Sequence, residues 1–161
     1  MVTLAHRHFD LADNEVMLET TYGDIRVAKP VDIEQLSAFG VQPVLLACIN
    51  DSDWCPVGYG IDEISLPAWK DQKFLKDVGA YLTKNHLHDK LLLTTRSLQD
   101  EKKMDGFQYL ETNHKATRTS KVELVEEKDL KNSVETTFGF ARGPHGEVEQ
   151  RCNNWCGCDD C

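Results

Sequence analysis

Apolar side chains recur along the chain mostly in short runs of strand length, and one stretch carries the spacing of a helix. Val16-Met17-Leu18-Glu19-Thr20-Thr21-Tyr22 and Ile25-Arg26-Val27-Ala28 flank Gly23-Asp24, which predicts two short strands around a turn, closed by Pro30. After the turn the apolar positions largely alternate, the period of a strand with one face toward a core. Val44-Leu45-Leu46-Ala47-Cys48-Ile49 is a continuous apolar run ended by the polar turn Asn50-Asp51-Ser52-Asp53, the pattern of a buried strand. Beyond Pro67, Phe74, Leu75, Val78, Tyr81 and Leu82 fall on one face at helical spacing, while Lys73, Lys76, Asp77 and Lys84 fall on the other. Gly79 weakens this helix slightly. Leu91-Leu92-Leu93-Thr94-Thr95 and Phe107-Gln108-Tyr109-Leu110 are strand candidates on either side of the charged Asp100–Lys103 loop, and Lys121–Glu126 alternates for half its length.

These elements predict an α+β class with several short strands and one main helix. At 161 residues the chain is long enough to bury one core. No repeat, low-complexity stretch or Gly/Ser linker interrupts it. The visible boundary lies at Gly143-Pro144-His145-Gly146, so the expected division is a domain over residues 1–142 and a cysteine-rich tail over 143–161.

A hydrophobic fraction of 40% with 28% charged residues is that of a globular protein, and it argues against extended disorder. A net charge of -9 without a compensating basic run disfavours direct binding to nucleic acid or to an anionic membrane surface. A basic peptide or a small molecule fits that charge better as a partner. The N-terminal segment has no apolar signal core, and nowhere do apolar residues run long enough to span a bilayer. The expectation is a soluble intracellular protein, cytoplasmic or nuclear, of undetermined oligomeric state.

Four of the six cysteines crowd into the last ten residues as Cys152, Cys156, Cys158 and Cys161, spaced C-x3-C-x-C-x2-C. In a reducing compartment such crowding favours metal ligation over disulfides. Four thiolates suit tetrahedral zinc at about 2.3 Å, and zinc is therefore the expected cofactor. One ligand can also come from Cys48, Cys55 or His145, because two cysteines separated by a single residue are tightly spaced. Disulfides are the competing fate of these thiols. Trp155-Cys156-Gly157-Cys158 faintly resembles a thioredoxin site but lacks its two-residue spacing, which leaves a thiol-redox protein as the weaker alternative.

Two further pairs, His6/His8 and His86/His88, have the alternation of a chelating strand but read more simply as surface features, the second at a helix C-terminus where the dipole favours a cation. Cys55 reads as a buried or turn cysteine. No nucleophile elbow, phosphate-binding loop, dinucleotide fingerprint or zinc-protease motif is present.

Four landmarks, read in order, resemble a small SET domain, the family of S-adenosylmethionine-dependent lysine methyltransferases. Glu19–Ala28 is similar to the opening strand pair, Asn113-His114 to the start of N-H-S-C-x-P-N, Lys128–Lys131 with Glu135–Phe140 to R-D-I-x-x-G-E-E-L-T-x-x-Y-G, and Cys156–Cys161 to the cysteine-rich tail. The resemblance implies a SET-like β-rich fold, S-adenosylmethionine held by Gly23, Asn113 and His114, and zinc in the tail. Phe138 stands at the family's catalytic tyrosine, and Tyr22 or Tyr109 are the hydroxyls that could replace it. The implied function is a methyltransferase or a divergent descendant with altered or lost activity. The alternative of another class is a non-enzymatic interaction module with a structural zinc tail.

Overall fold

The protein is represented by a computed structural model that describes residues 2–38, 40–61, 71–95, 106–142 and 148–157. Ten strands among these residues close into a barrel: β1 (Val2–His6), β2 (Glu15–Tyr22), β3 (Ile25–Asp32), β4 (Val41–Cys48), β5 (Trp54–Ile61), β6 (Leu91–Thr95), β7 (Phe107–His114), β8 (Thr119–Glu126), β9 (Val134–Arg142) and β10 (Val148–Cys156). Their order around the barrel is β1-β6-β4-β5-β2-β3-β8-β7-β10-β9, and β9 returns to β1 through Thr3↔Gly139 and Leu4↔Phe138. The pairs β2·β5 and β7·β10 are parallel. The remaining neighbours are antiparallel.

The α+β class expected from the sequence is thereby corrected to a β-barrel that, among the described residues, carries one α-helix, α1 (Gln72–Lys84), on its outside. Four strands escaped the hydrophobic pattern for physical reasons. In β5, Pro56, Gly58 and Gly60 dilute the strand composition, and Gly58 exists there because a Cβ would lie 2.9 Å from Leu45 Cβ across the ladder. The strands β9 and β10 are rich in Thr, Asn, Gly and charged residues, and β1 is only five residues long. Residues 148–156, assigned to the tail by composition, form β10 and pair with both β9 and β7. Pro30 does not close β3, which runs on to Asp32; the proline sits beyond the last β3·β8 pair, Ala28↔Ser120, so its missing N–H costs no bond to β8.

The β2–β3 connection is Gly23-Asp24, with Gly23 at φ +62° and Asp24 in the ordinary negative range, the geometry of a two-residue type II′ hairpin. The helix α1 starts at Asp71, whose carboxylate accepts from Phe74 N at 3.0 Å. Its apolar face lies on β4, β5 and β6: Leu75 and Phe74 pack with Leu46, Leu93, Leu4 and Trp54, and the Trp54 indole N–H donates to the Leu75 carbonyl at 3.0 Å. Tyr81, expected on that face, is exposed. A second cluster joins Val16 and Leu18 of β2 to Leu36 of the 3-10 turn Ile33–Ala38. Alternate residues of β2, Met17 and Glu19, point to the barrel interior instead. Much of the hydrophobic core thus lies between the outer wall of the barrel and the segments that cover it.

The link between β1 and β2 folds over one part of the barrel and is pinned there. Arg118, in the β7–β8 turn at φ +50°, donates from both guanidinium nitrogens to the Glu15 carboxylate, one bond being 2.7 Å, and reaches the Asp10 carbonyl at 3.3 Å. This pairing, together with the Ala12 N–H, holds the Glu15 carboxyl well below its ordinary value of 4.5, at about 2. A carboxyl lowered on folding stabilises the folded state above the unfolded pKa, and that contribution disappears as pH falls from about 4.5 through about 2. We expect the Glu15 side-chain carboxyl resonance to titrate near 2 in the wild type and in the ordinary glutamate range in Arg118→Gln, with the shift weakened by salt because the pair is partly exposed. An unchanged midpoint in the variant would remove the bidentate pair as its cause.

Candidate ligand cavity

An eight-stranded barrel is just wide enough for its own side chains to fill, and ten strands leave more room. The interior here holds a cavity of about 90 Å³. Met17, Leu45, Val57, Leu92 and Val122 give it an apolar wall. Strand registers bring the polar part together from different places in the chain. Arg26 of β3 is opposite Val122 of β8, Val122 is opposite Glu111 of β7, and Ala28 is opposite Ser120, so Arg26, Glu111 and Ser120 share the inner face. Arg7 and His8 enter from the β1–β2 link, whose start is held by the Arg7 N–H to Lys90 carbonyl bond of 3.0 Å.

Arg26, Glu111 and Ser120 are all buried, at 7%, 9% and 9% exposure, in a site where unpartnered polar groups are costly. Ser120 Oγ donates to Glu111 Oε1 at 2.7 Å, and His8 Nε2 lies 3.4 Å from the same oxygen. Here the carboxylate stands between the hydroxyl and the imidazole. A nucleophilic triad needs the imidazole in the middle to take the hydroxyl proton, so this trio is built to hold Glu111 rather than to activate Ser120. The Arg26 guanidinium carbon lies 5.4 Å from the centre of the Tyr109 ring, a cation–π contact.

The residues singled out from the sequence are distributed differently. Tyr22 and Gly23 form the exposed tip of the β2–β3 hairpin. Asn113 and His114 end β7; by register Asn113 is level with Ser120 and Ala28, five residues along β3 from Gly23, roughly 16 Å at strand spacing. His114 is exposed, and its carbonyl accepts from the Thr117 N–H at 3.2 Å. Tyr109 is half-buried beneath Arg26. The Phe138 backbone pairs with Leu4 and with Cys152, while the side chains of Phe138 and Cys152 lie outside the described residues.

Two of the expected site residues do meet. Asn113 Nδ2 donates to Cys156 Sγ at 3.7 Å, because the parallel β10·β7 ladder sets Cys156 opposite Glu111. Cys156 is buried and disulfide-bonded. A sulfur in a disulfide has no thiolate to offer a metal, so zinc at Cys156 belongs to the reduced protein. Cys158, Cys161 and His145 lie outside the described residues. Among the described residues no cluster of three or more His, Cys, Asp or Glu could hold a metal.

The other cysteines and the histidine pairs also have distinct places. Cys48 is buried under α1, where burial raises its thiol pKa, and Cys55 is exposed on β5; both are free. His8, read as a surface residue, lines the cavity, whereas His86 turns away from the helix at φ +55° and is exposed. No family model, curated protein or solved structure matches the chain. Among the described residues no helix is long and apolar enough to cross a membrane.

Arg26, Glu111, Ser120 and His8 were not recognised from the sequence. Of these Arg26 alone carried a local signal, a single charge between Ile25 and Val27 of β3, whereas Glu111 and Ser120 each have a polar neighbour and His8 lies in the β1–β2 link. Alternation normally assigns such residues to solvent. Only the closure of the sheet turns them inward.

Proposed function

We propose that the protein binds a small organic molecule inside the barrel. The observation that carries this reading is a largely apolar cavity into which buried polar side chains from three different strands converge. A barrel interior serving stability alone gains nothing from burying Arg26, since a charge removed from water and left without a counter-ion is strongly unfavourable. Apolar walls with a few placed polar groups are the pattern of ligand pockets. The hydrogen-bonded Glu111 trio favours recognition over nucleophilic chemistry.

The test is a fragment panel followed by amide shifts in two-dimensional NMR, with S-adenosylmethionine included. Binding inside the barrel is expected to move the amides of Arg26, Glu111, Ser120 and Val122 together, in a saturable way. Shifts confined to exposed positions would overturn the proposal. Saturation by S-adenosylmethionine with shifts at Gly23, Asn113 and His114 would instead favour the methyltransferase reading.

A further inference from the structure

We infer that the ligand of this cavity is a compact monocarboxylate with an apolar body, its carboxylate held by Arg26. This rests on the barrel being the binding site. Arg26 is only 7% exposed and lines the cavity, yet among the described residues no carboxylate lies within ion-pair distance of its guanidinium. Its recorded contact is the face of Tyr109, at 5.4 Å. Stacking on a ring fixes the plane of a guanidinium while leaving its N–H edge available, and that edge matches the two oxygens of a carboxylate.

The neighbouring acids explain why Arg26 is not neutralised from within. Glu111 is engaged by Ser120 and His8. Glu19 shares the cavity, but its register partner on β3 is Ala28, whereas Arg26 is opposite Thr21. These two acids also set the charge of the ligand. With Arg7 and Arg26 set against Glu19 and Glu111 the lining is formally neutral, so a dianion such as phosphate would be repelled by both acids as it met Arg26, whereas a single carboxylate at the edge of Arg26 meets less of that repulsion. The rest of the ligand faces Met17, Leu45, Val57, Leu92 and Val122, which ask for hydrocarbon. A cavity of about 90 Å³ equals about three waters at roughly 30 Å³ each, so the acid must be short, and a six-carbon chain fills it only when the flexible Met17 side chain moves aside.

Hexanoate, 1-hexanol and hexylamine share one chain and differ in head group, so they separate the two levels of the inference. In the wild-type protein, calorimetry and amide shifts are expected to show hexanoate binding roughly tenfold or more tighter than hexanol, with hexylamine weakest. Inorganic phosphate is expected to be inert at the same concentrations. In Arg26→Met the preference for hexanoate over hexanol should vanish through loss of hexanoate affinity, while hexanol binds at least as well. The free variant should melt no lower than wild type, because an uncompensated buried charge has been replaced by an apolar side chain of similar length.

Arg26→Lys serves if the methionine variant does not fold. It keeps the charge but loses the planar fork, so hexanoate should weaken while still exceeding hexanol. Hexanol binding as tightly as hexanoate in the wild type, phosphate competing with hexanoate, or a folded Arg26→Met that retains hexanoate affinity would each overturn the carboxylate inference and leave the barrel as a binding site. Failure of all three six-carbon probes to shift any amide of the cavity wall would overturn the binding site itself.

Discussion

Replacing Leu93 by alanine should destabilise the protein by about 2 to 5 kcal/mol, the range for a buried leucine whose surroundings collapse only partly into the space left behind. Leu93 is 2% exposed and lies opposite Leu4 of β1 and Leu46 of β4. Leu75 and Phe74 of α1 complete the cluster around it. The residue therefore joins three strands to the helix, and a cavity there removes contacts from both layers at once. Urea unfolding with Leu93→Met as the comparator is the measurement, since a substitution of similar volume should cost less than about 1.5 kcal/mol. Equal stability of the alanine and methionine variants would mean that this cluster does not hold α1 to the barrel.

Gly79→Ala should also destabilise, by about 1 to 3 kcal/mol, although alanine is the better helix former by roughly 1 kcal/mol. A Cβ at this position would lie 2.6 Å from the Asp51 carbonyl oxygen and 3.1 Å from its carbon. Both atoms belong to the turn between β4 and β5, which the Asn50 side-chain oxygen fastens through the Ser52 and Asp53 N–H groups at 3.1 Å each. Backbone fastened in this way cannot yield as a flexible side chain would, so the helix must lift. The Trp54 indole N–H bond to the Leu75 carbonyl should weaken with it, and the indole proton resonance reports that displacement directly. A stabilised Gly79→Ala protein with an unmoved indole resonance would show that α1 does not dock this closely.

The two substitutions mark the division between local and tertiary information. From the sequence Gly79 is a slight defect in an amphipathic helix, and the helix itself is present where its spacing placed it, Gln72–Lys84. The β2–β3 hairpin, the apolar core of β4, and the strands β6, β7 and β8 were legible in the same way, because each carries a run or an alternation of its own. What made Gly79 necessary is the turn at Asp51, distant in sequence and brought close only when α1 lies on the sheet.

The sequence by itself determined the position of those elements and the hairpin turn at Gly23-Asp24, since these depend on residues within a few positions of one another, but not the strand ends: β3 and β7 run on to Asp32 and His114 because neighbouring strands supply their pairing. Closure of the barrel was decided by tertiary structure. The strands β1, β5, β9 and β10 have weak patterns of their own and are held by neighbours already in place. Tertiary structure also decided which face of each strand is the inside. In β2 the apolar Val16 and Leu18 face outward under the 3-10 turn, and in β3 the charged Arg26 faces inward. Alternation tells that the two faces of a strand differ, but which face meets water depends on what covers the outside of the sheet. Here the 3-10 turn and α1 cover part of the outer wall, and the polar residues left to the interior, Arg26, Glu111 and Ser120, make the candidate site.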